Sequence, residues 1–362
     1  MLLTEIAALV SRSAPKGQKK GKKQGLAAMI ILLLLMALAS ACGNKTNVSE
    51  NGSAGEAPST GLSSSSKPAL EAKEPKTRTI EHAFGKTEVP LHPKRVAVFG
   101  LEDITLSLGV PMVYAYDFDG YFLDSRLKAL NIPLSGSADF KPNLEAILDA
   151  QPDLIIVQAY STDEKGYAEL SKIAPTIAFT PNDWKSSIVD IGKATGLEDK
   201  AQEVIRAYED KLAKAKSAIV SAVGPDKTVV YMRPSDKDLQ VYFPSFAPLV
   251  YKELGLKPDN SIAAFQKESS DDWGINTSLE KLPSITADYV FAIYGGSIDN
   301  AQDFAKLSAA SIEVEKMQVW KAMPAVKQNH VFKVSARHWM MSGPIADGKS
   351  IDDVVAAVTG KQ

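Results

Sequence analysis

Five residues stand where apolar runs of the chain give out: Tyr116, Tyr160, Arg233, Tyr294 and Arg337. If those runs are strands of parallel α/β sheets, their C-terminal ends border a crevice and these side chains sit at it. Two arginines there would offer planar forks for paired oxygen acceptors. The tyrosines would wall an organic ligand. Two arginines converging on a cleft in an acidic body point to an anionic ligand. Metal chemistry is poorly supplied, because the four histidines (His82, His92, His330, His338) are scattered along the chain. Cys42 is the single cysteine, so no intramolecular disulfide can form. "GPIADGKS", Gly343 to Ser350, formally fits a phosphate-binding loop and would suggest a nucleotide-hydrolysing enzyme. Pro344 removes an amide that such a loop needs. The 12 residues after Ser350 leave no room for a magnesium-binding strand. No G-x-S-x-G nucleophile elbow occurs either. The pattern is that of a binder, not an enzyme.

Two glutamates are set by an internal repeat. "PNLEAILDAQPDLIIV" (Pro142 to Val157) and "TSLEKLPSITADYVFA" (Thr277 to Ala292) align without a gap. Each has Leu-Glu, an apolar residue two places on, and an Asp (Asp153, Asp288) before an apolar run. A Glu in the first turn of a helix that starts at the crevice edge lies on the rim, where a partner could cover the opening. The plainer role is to complement the helix dipole, worth about 0.3–1 kcal/mol.

The elements that must position these residues alternate. Val96–Phe99, Pro111–Tyr116, Leu154–Val157 and Thr176–Phe179 read as strands, with helices at Ile104–Leu108, Asn143–Ala150 and Tyr167–Ile173 between them. From Ser186 to Val223 no strand is evident. Ala201, Val204, Ile205, Tyr208, Leu212, Ala215 and Ile219 follow helical spacing, which predicts one amphipathic helix of about 25 residues. Alternation then resumes, with strands at Thr228–Met232, Tyr289–Ile293 and Val331–Val334. Helices are expected at Pro248–Leu254, Ser278–Leu282, Phe304–Met317 and Ile351–Val358. The fold class is therefore α/β: two lobes of like topology, mostly parallel sheets, one long rigid helix joining them, and a cleft between. The expected boundaries are 78–184, 185–224 and 225–362.

The first 77 residues read differently. "KGQKKGKK" precedes the apolar run Leu26–Ala41, which at about 16 residues is short for a span of roughly 20. "LASAC" follows and resembles a bacterial lipobox, although Ala39 stands where leucine is usual. Residues 1–41 would then be a lipoprotein signal peptide, with Cys42 the lipidated residue. Residues 42–77, rich in Ser, Gly and Asn, would form a flexible tether. The leader carries +5 of charge, so removing it takes the net charge from −2 to −7. Nucleic acid is not an expected partner of such a body.

"HAFGKTEVPLHPKRVAV", "LSKIAPTIAF", "VWKAMPAVKQNHVF" and "RHWMMSGPIAD", with the two repeat copies, resemble the ferric siderophore-binding lipoproteins of ABC importers. The likeness runs from Thr79 to the C-terminus. It implies capture of a ferric siderophore, of hydroxamate or citrate-hydroxamate type ahead of catecholate, and delivery to a permease with its ATPase. Heme or cobalamin is the alternative cargo on this fold, and a bare zinc or manganese ion a remoter one. No cofactor is implied, since iron arrives inside the ligand. A monomer is expected, lipid-anchored on the extracytoplasmic face of a cell membrane, with a Gram-positive envelope favoured. Glu145 and Glu280 match the permease-docking glutamates of such proteins. Tyr160 matches a ligand-touching tyrosine, Trp273 in "DDWG" a pocket tryptophan, and Arg337 a pocket arginine. Where relatives carry an arginine before "PNLE", this chain has Lys141, so either the lysine stands in for it or that contact is missing.

Overall fold

The computed structural model describes residues 76–360 apart from 119, 137–139 and 296–300. The leader, Cys42 and the tether as far as residue 75 lie outside these residues, and Thr77, expected in the tether, is the first residue of β1. The body opens with a hairpin, β1 (Thr77–His82) against β2 (Gly85–Pro90). Each strand buries a single side chain, Ile80 or Val89, which is too little periodicity to read from sequence.

The first lobe runs β3 (Val96–Phe99), α1 (Glu102–Leu108), β4 (Met112–Tyr116), α2 (Asp124–Lys128), β5 (Leu134–Ser135), α3 (Leu144–Asp149), β6 (Leu154–Gln158), α4 (Glu164–Ile173) and β7 (Thr176–Phe179). Its sheet has the order β5-β4-β3-β6-β7 and is parallel throughout. Every side chain of β3 and β7 is buried. Helices cover both faces, so unbroken apolar runs replace the alternation of a half-exposed sheet.

Two helices then follow. α5 (Trp184–Thr195) stops at Gly196, whose φ of 72° suits a residue without a side chain. α6 (Glu198–Val223) is 26 residues long and buries Ala201, Tyr208, Ala215 and Ile219 along one stripe.

The second lobe contains β8 (Thr228–Pro234), β9 (Leu239–Tyr242), β10 (Lys257–Pro258), α7 (Asn260–Glu268), β11 (Gly274–Thr277), β12 (Tyr289–Tyr294), α8 (Ala301–Glu313), α9 (Gln318–Lys321), α10 (Pro324–Lys327), β13 (Val331–Ser335), α11 (Ala336–Trp339) and α12 (Pro344–Thr359). Its sheet order is β11-β9-β8-β12-β13, with β10 also on β8. β8, β12 and β13 are parallel, as expected, and the short β10, not expected, joins β8 in parallel. β9 is antiparallel to β8, and β11 to β9. This antiparallel arm was missed in the sequence because the polar turn between β8 and β9 reads as loop. Ser235 pins that turn by accepting the amides of Lys237 and Asp238. The region expected as a helix at Pro248–Leu254 is one π-helical turn, Leu249–Glu253.

The repeat has a structural meaning at its apolar and aspartate positions. Ile147 and Leu282, two places after each Glu, are both fully buried anchors. Asp153 accepts the amides of Lys94 and Arg95 at 2.7 and 3.0 Å, tying the start of β6 to that of β3. Asp288 accepts the Thr228 amide at 2.9 Å and Lys227 Nζ at 2.8 Å, tying β12 to β8 in the same way. The copies differ locally. Asn143 caps an α-helix in the first, whereas Pro283 keeps the second a 3₁₀ turn over Leu279–Ser284, capped by Ser278. Asp288→Ala leaves the Thr228 amide without its acceptor and should cost about 1–3 kcal/mol, read as a lowered denaturant midpoint.

The lobes share a continuous hydrophobic cluster, from Val98 and Ile104 through Ile191 and Tyr208 to Phe291 and Val354. A polar joint accompanies it. α12 has no side-chain cap of its own. Instead Asp103, on α1 of the other lobe, accepts the Ile345 and Ala346 amides, each at 2.8 Å. Trp184 Nε1 donates to Asp347 at 2.7 Å. Burial pushes both the Asp103 and Asp347 carboxyls up to about 7.

Candidate ligand-binding cleft

The C-terminal edges of the two sheets carry the expected residues. On the second lobe the antiparallel arm gathers them. Gly274 of β11 pairs with Tyr242 of β9, and Arg233 of β8 pairs with Gln240. Trp273, one residue before β11, therefore lies 6.1 Å from the Tyr242 ring and 6.3 Å from that of Phe246. Phe246 stacks on Tyr242 at 4.8 Å and 15°. Burial pushes the Tyr242 hydroxyl pKa up, while the charge of Arg233 and its side-chain hydrogen bond to Tyr242 pull it down. The result is Phe246 and Trp273 packed on the buried Tyr242 ring beside a guanidinium. Phe246 is 40% exposed. Sequence reasoning missed it, although a large apolar residue inside the turn "FPSFAP" was a usable signal.

On the first lobe Tyr160 follows β6 in a 3₁₀ turn and is 62% exposed. Its hydroxyl accepts from Asn182 Nδ2 at 3.3 Å, in the turn after β7. Lys141 is exposed on the segment leading to α3. Arg337 follows β13, on α11, and its guanidinium lies 4.2 Å over the Phe304 ring.

Tyr116 and Tyr294 do end their strands, yet both are buried. Tyr116 packs within 4.7 to 5.6 Å of Phe99, Phe118 and Phe140. Tyr294 donates to Glu315 at 2.5 Å, and Lys333 sits 5.1 Å over its ring. These contacts make the two rings part of the lobe interiors. Beneath the first-lobe edge lies Glu102, buried completely and not foreseen from sequence. Its Oε1 accepts the Gly100 and Tyr116 amides at 2.9 and 3.0 Å. Burial pushes this carboxyl up to about 7.

Glu145 and Glu280 are exposed in the first turns of α3 and of the Leu279–Ser284 turn. Both turns begin at the cleft edge of their sheet. Leu144 and Leu148 flank Glu145 and are exposed, and a surface groove of about 460 Å³ opens beside Leu148, Asp149 and Ile173. The "GPIADGKS" segment is no phosphate loop. It forms the start of α12, and the amides that would cradle a phosphate are taken by Asp103. Among the described residues, no three His, Cys, Asp or Glu side chains group as metal ligands.

The family described as periplasmic binding protein matches residues 124–337. The iron(3+)-hydroxamate-binding protein FhuD of Bacillus subtilis (strain 168) is 32% identical over 348 residues, covering 93% of this chain and 98% of the relative. The probable siderophore-binding lipoprotein YfiY of the same organism is 28% identical over 349 residues, covering 92% and 97%. Among solved structures, a periplasmic binding protein component of a Fep/Fec-like ferrichrome ABC transporter from Bacillus subtilis superimposes with a TM-score of 0.63. It is 30% identical and covers 77% of this chain and 98% of that one. By the span of that match and by likeness along nearly its whole length, the chain belongs to the periplasmic binding protein family.

Proposed function

We propose that this protein captures a ferric siderophore outside the cytoplasmic membrane and delivers it to an ABC permease. The observation that carries the reading is Phe246 and Trp273 packed on the buried Tyr242 ring beside Arg233 on the second lobe, with exposed Tyr160 at a strand end of the first. A filled iron chelate needs no metal ligand from the protein. It needs donors for its outer oxygens and flat apolar surface for its organic shell. Hydroxamate and citrate-hydroxamate chelates fit best, and the likeness to a hydroxamate-binding relative supports that choice. Acylated Cys42 would hold the protein to the membrane, with residues 43–77 as tether, as the lipoprotein relative suggests. Glu145 and Glu280 would engage the two permease subunits, and the chain itself performs no catalysis.

Tryptophan fluorescence tests the reading. Trp184, Trp320 and Trp339 are buried, and Trp273 is the most exposed of the four. A bound ferric chelate should quench emission saturably at submicromolar concentration, and Trp273→Phe should remove most of that quenching. The panel contains hydroxamate, citrate-hydroxamate and catecholate chelates, hemin, cobalamin and free Fe(III). A response to hemin or cobalamin alone would keep the fold and overturn the cargo.

A further inference from the structure

Two carboxyls from opposite lobes meet where the lobes join, and ligand capture uses neither. Asp103 stands on α1 of the first lobe, and Asp347 lies in the first turn of α12, which closes the second. Asp103 gives one oxygen to the Ile345 amide and the other to the Ala346 amide, each at 2.8 Å. Gly343 lies so close that a methyl group added there would overlap the Asp103 carboxyl. Asp347, the residue after Ala346, accepts Trp184 Nε1 of α5 at 2.7 Å. The surroundings are rich in acid. Beside Asp103 are Glu102 on its own helix and Arg126 on α2, with the Tyr121 ring near both acids. Beside Asp347 are Asp103, Tyr208 of α6 and Glu253 of the π-helical turn. Lys185 of α5 is engaged by Glu253 at 3.0 Å, and the Tyr208 hydroxyl donates to Glu253 at 2.8 Å. Further along α12, Lys211 of α6 is engaged by Asp352 and His338 of α11 by Asp353, both at 2.7 Å.

We propose that Asp103 and Asp347 form a pH-sensitive latch between the lobes, tight while the pair is largely uncharged and loosened as both ionise. The latch is independent of the cargo. Each carboxyl pins a group from across the joint, so the lobes cannot part without exposing both. A charge on Asp103 suits the two amides and the positive end of the α12 dipole. A charge on Asp347 as well sets two like charges beside each other in a buried joint, with Arg126 offsetting only part of one. Burial already raises both carboxyls from 3.8 to about 7, and Asp103 adds to the push on Asp347. Parting the lobes returns each to water and to its ordinary value, so opening releases protons and rising pH favours it. Between pH 6 and pH 8 each carboxyl that falls from about 7 to 3.8 favours opening about tenfold.

The test needs no ligand. Spin labels go on Lys172→Cys of α4 and Lys267→Cys of α7, both exposed and one on each lobe, in Cys42→Ser protein that has no other cysteine. The distance distribution between the labels should widen toward longer separations from pH 6 to pH 8. Amide hydrogen exchange gives the second readout. Protection of the Ile345 and Ala346 amides, corrected for the intrinsic rate, should fall about a hundredfold over the same range, a factor of ten from each carboxyl. Asp347→Asn keeps an acceptor for Trp184 and removes one charge, so the fall should shrink to about tenfold and the distances should change less. Asp347→Glu keeps the charge and should remain as pH-sensitive as wild type. Distances and protection that ignore pH in wild type, or an Asp347→Asn protein as pH-sensitive as wild type, would overturn the latch. So would exchange at Ile345 and Ala346 no faster than at Ile155 and Ile156 in the β6 core, since the joint would then open only with the whole fold.

Discussion

Glu145→Arg combined with Glu280→Arg is expected to abolish siderophore-dependent iron uptake while ligand affinity stays within about twofold, since rim charges act on docking more than on a distant pocket. The two carboxylates are exposed, each in the first turn of its element, and each element starts at the cleft edge of its sheet. Among the described residues, nothing ties their side chains down. Lys281, the neighbour of Glu280, is engaged instead by Glu268 at 3.0 Å. A permease that covers the cleft mouth meets both glutamates at once. Reversal replaces two attractions with two repulsions, and like-charge juxtaposition at an interface costs several kcal/mol. Each single reversal should leave partial uptake, because the other lobe still docks. Uptake of labelled iron by cells, with affinity measured on the purified body, separates delivery from capture. Wild-type uptake by the double variant would end the docking role. Loss of affinity in step with uptake would place the glutamates in the pocket instead.

The sequence exposes those glutamates because a repeat is a pattern of spacing, and spacing survives in one dimension. The parallel core was legible for a similar reason: β3, β6 and β7 are unbroken apolar runs, and the stripe on α6 declares its own face. Pairings that bring distant polar segments together were not legible. β9 and β11 carry Gln240, Asn276 and Thr277 among their few residues, and only their antiparallel pairing sets Trp273 beside Tyr242. The strand-end rule located Tyr116 and Tyr294 correctly along the chain but could not give their depth. Depth follows from partners such as Phe140 and Glu315, which lie 24 and 21 residues away. The repeated aspartates show the limit most clearly. Their spacing was visible, but their task of tying two strand starts together became apparent only with the neighbouring strand in place.

Glu102→Gln should match wild type in stability near pH 4 and exceed it near pH 8, by about 3 kcal/mol. Glu102 is wholly buried, and its Oε1 holds the ends of β3 and β4 through the Gly100 and Tyr116 amides. Oε2 is buried without a hydrogen-bond partner among the described residues. Burial therefore outweighs the two amides and raises the pKa from 4.5 to about 7, with nearby Asp117 adding a smaller push. A carboxyl raised above its unfolded value contributes its full stabilisation below about 4.5. That contribution is lost as pH climbs through about 7, where folding must bury a charge. Glutamine reproduces the protonated form: its carbonyl oxygen can accept both amides, and its NH₂ meets the same empty surroundings as the acid proton. The variant should not titrate at this position, so its advantage appears only where wild type ionises. Asp103 next to it is also raised to about 7, and Asp347 lies beyond, so both proteins keep a shared slope from those groups. The comparison is thus the difference between two denaturant curves at each pH. A constant difference from pH 5 to pH 8 would mean that Glu102 keeps one charge state throughout. The two strand ends under the cleft would then be held by a permanent carboxylate instead of a neutral acid.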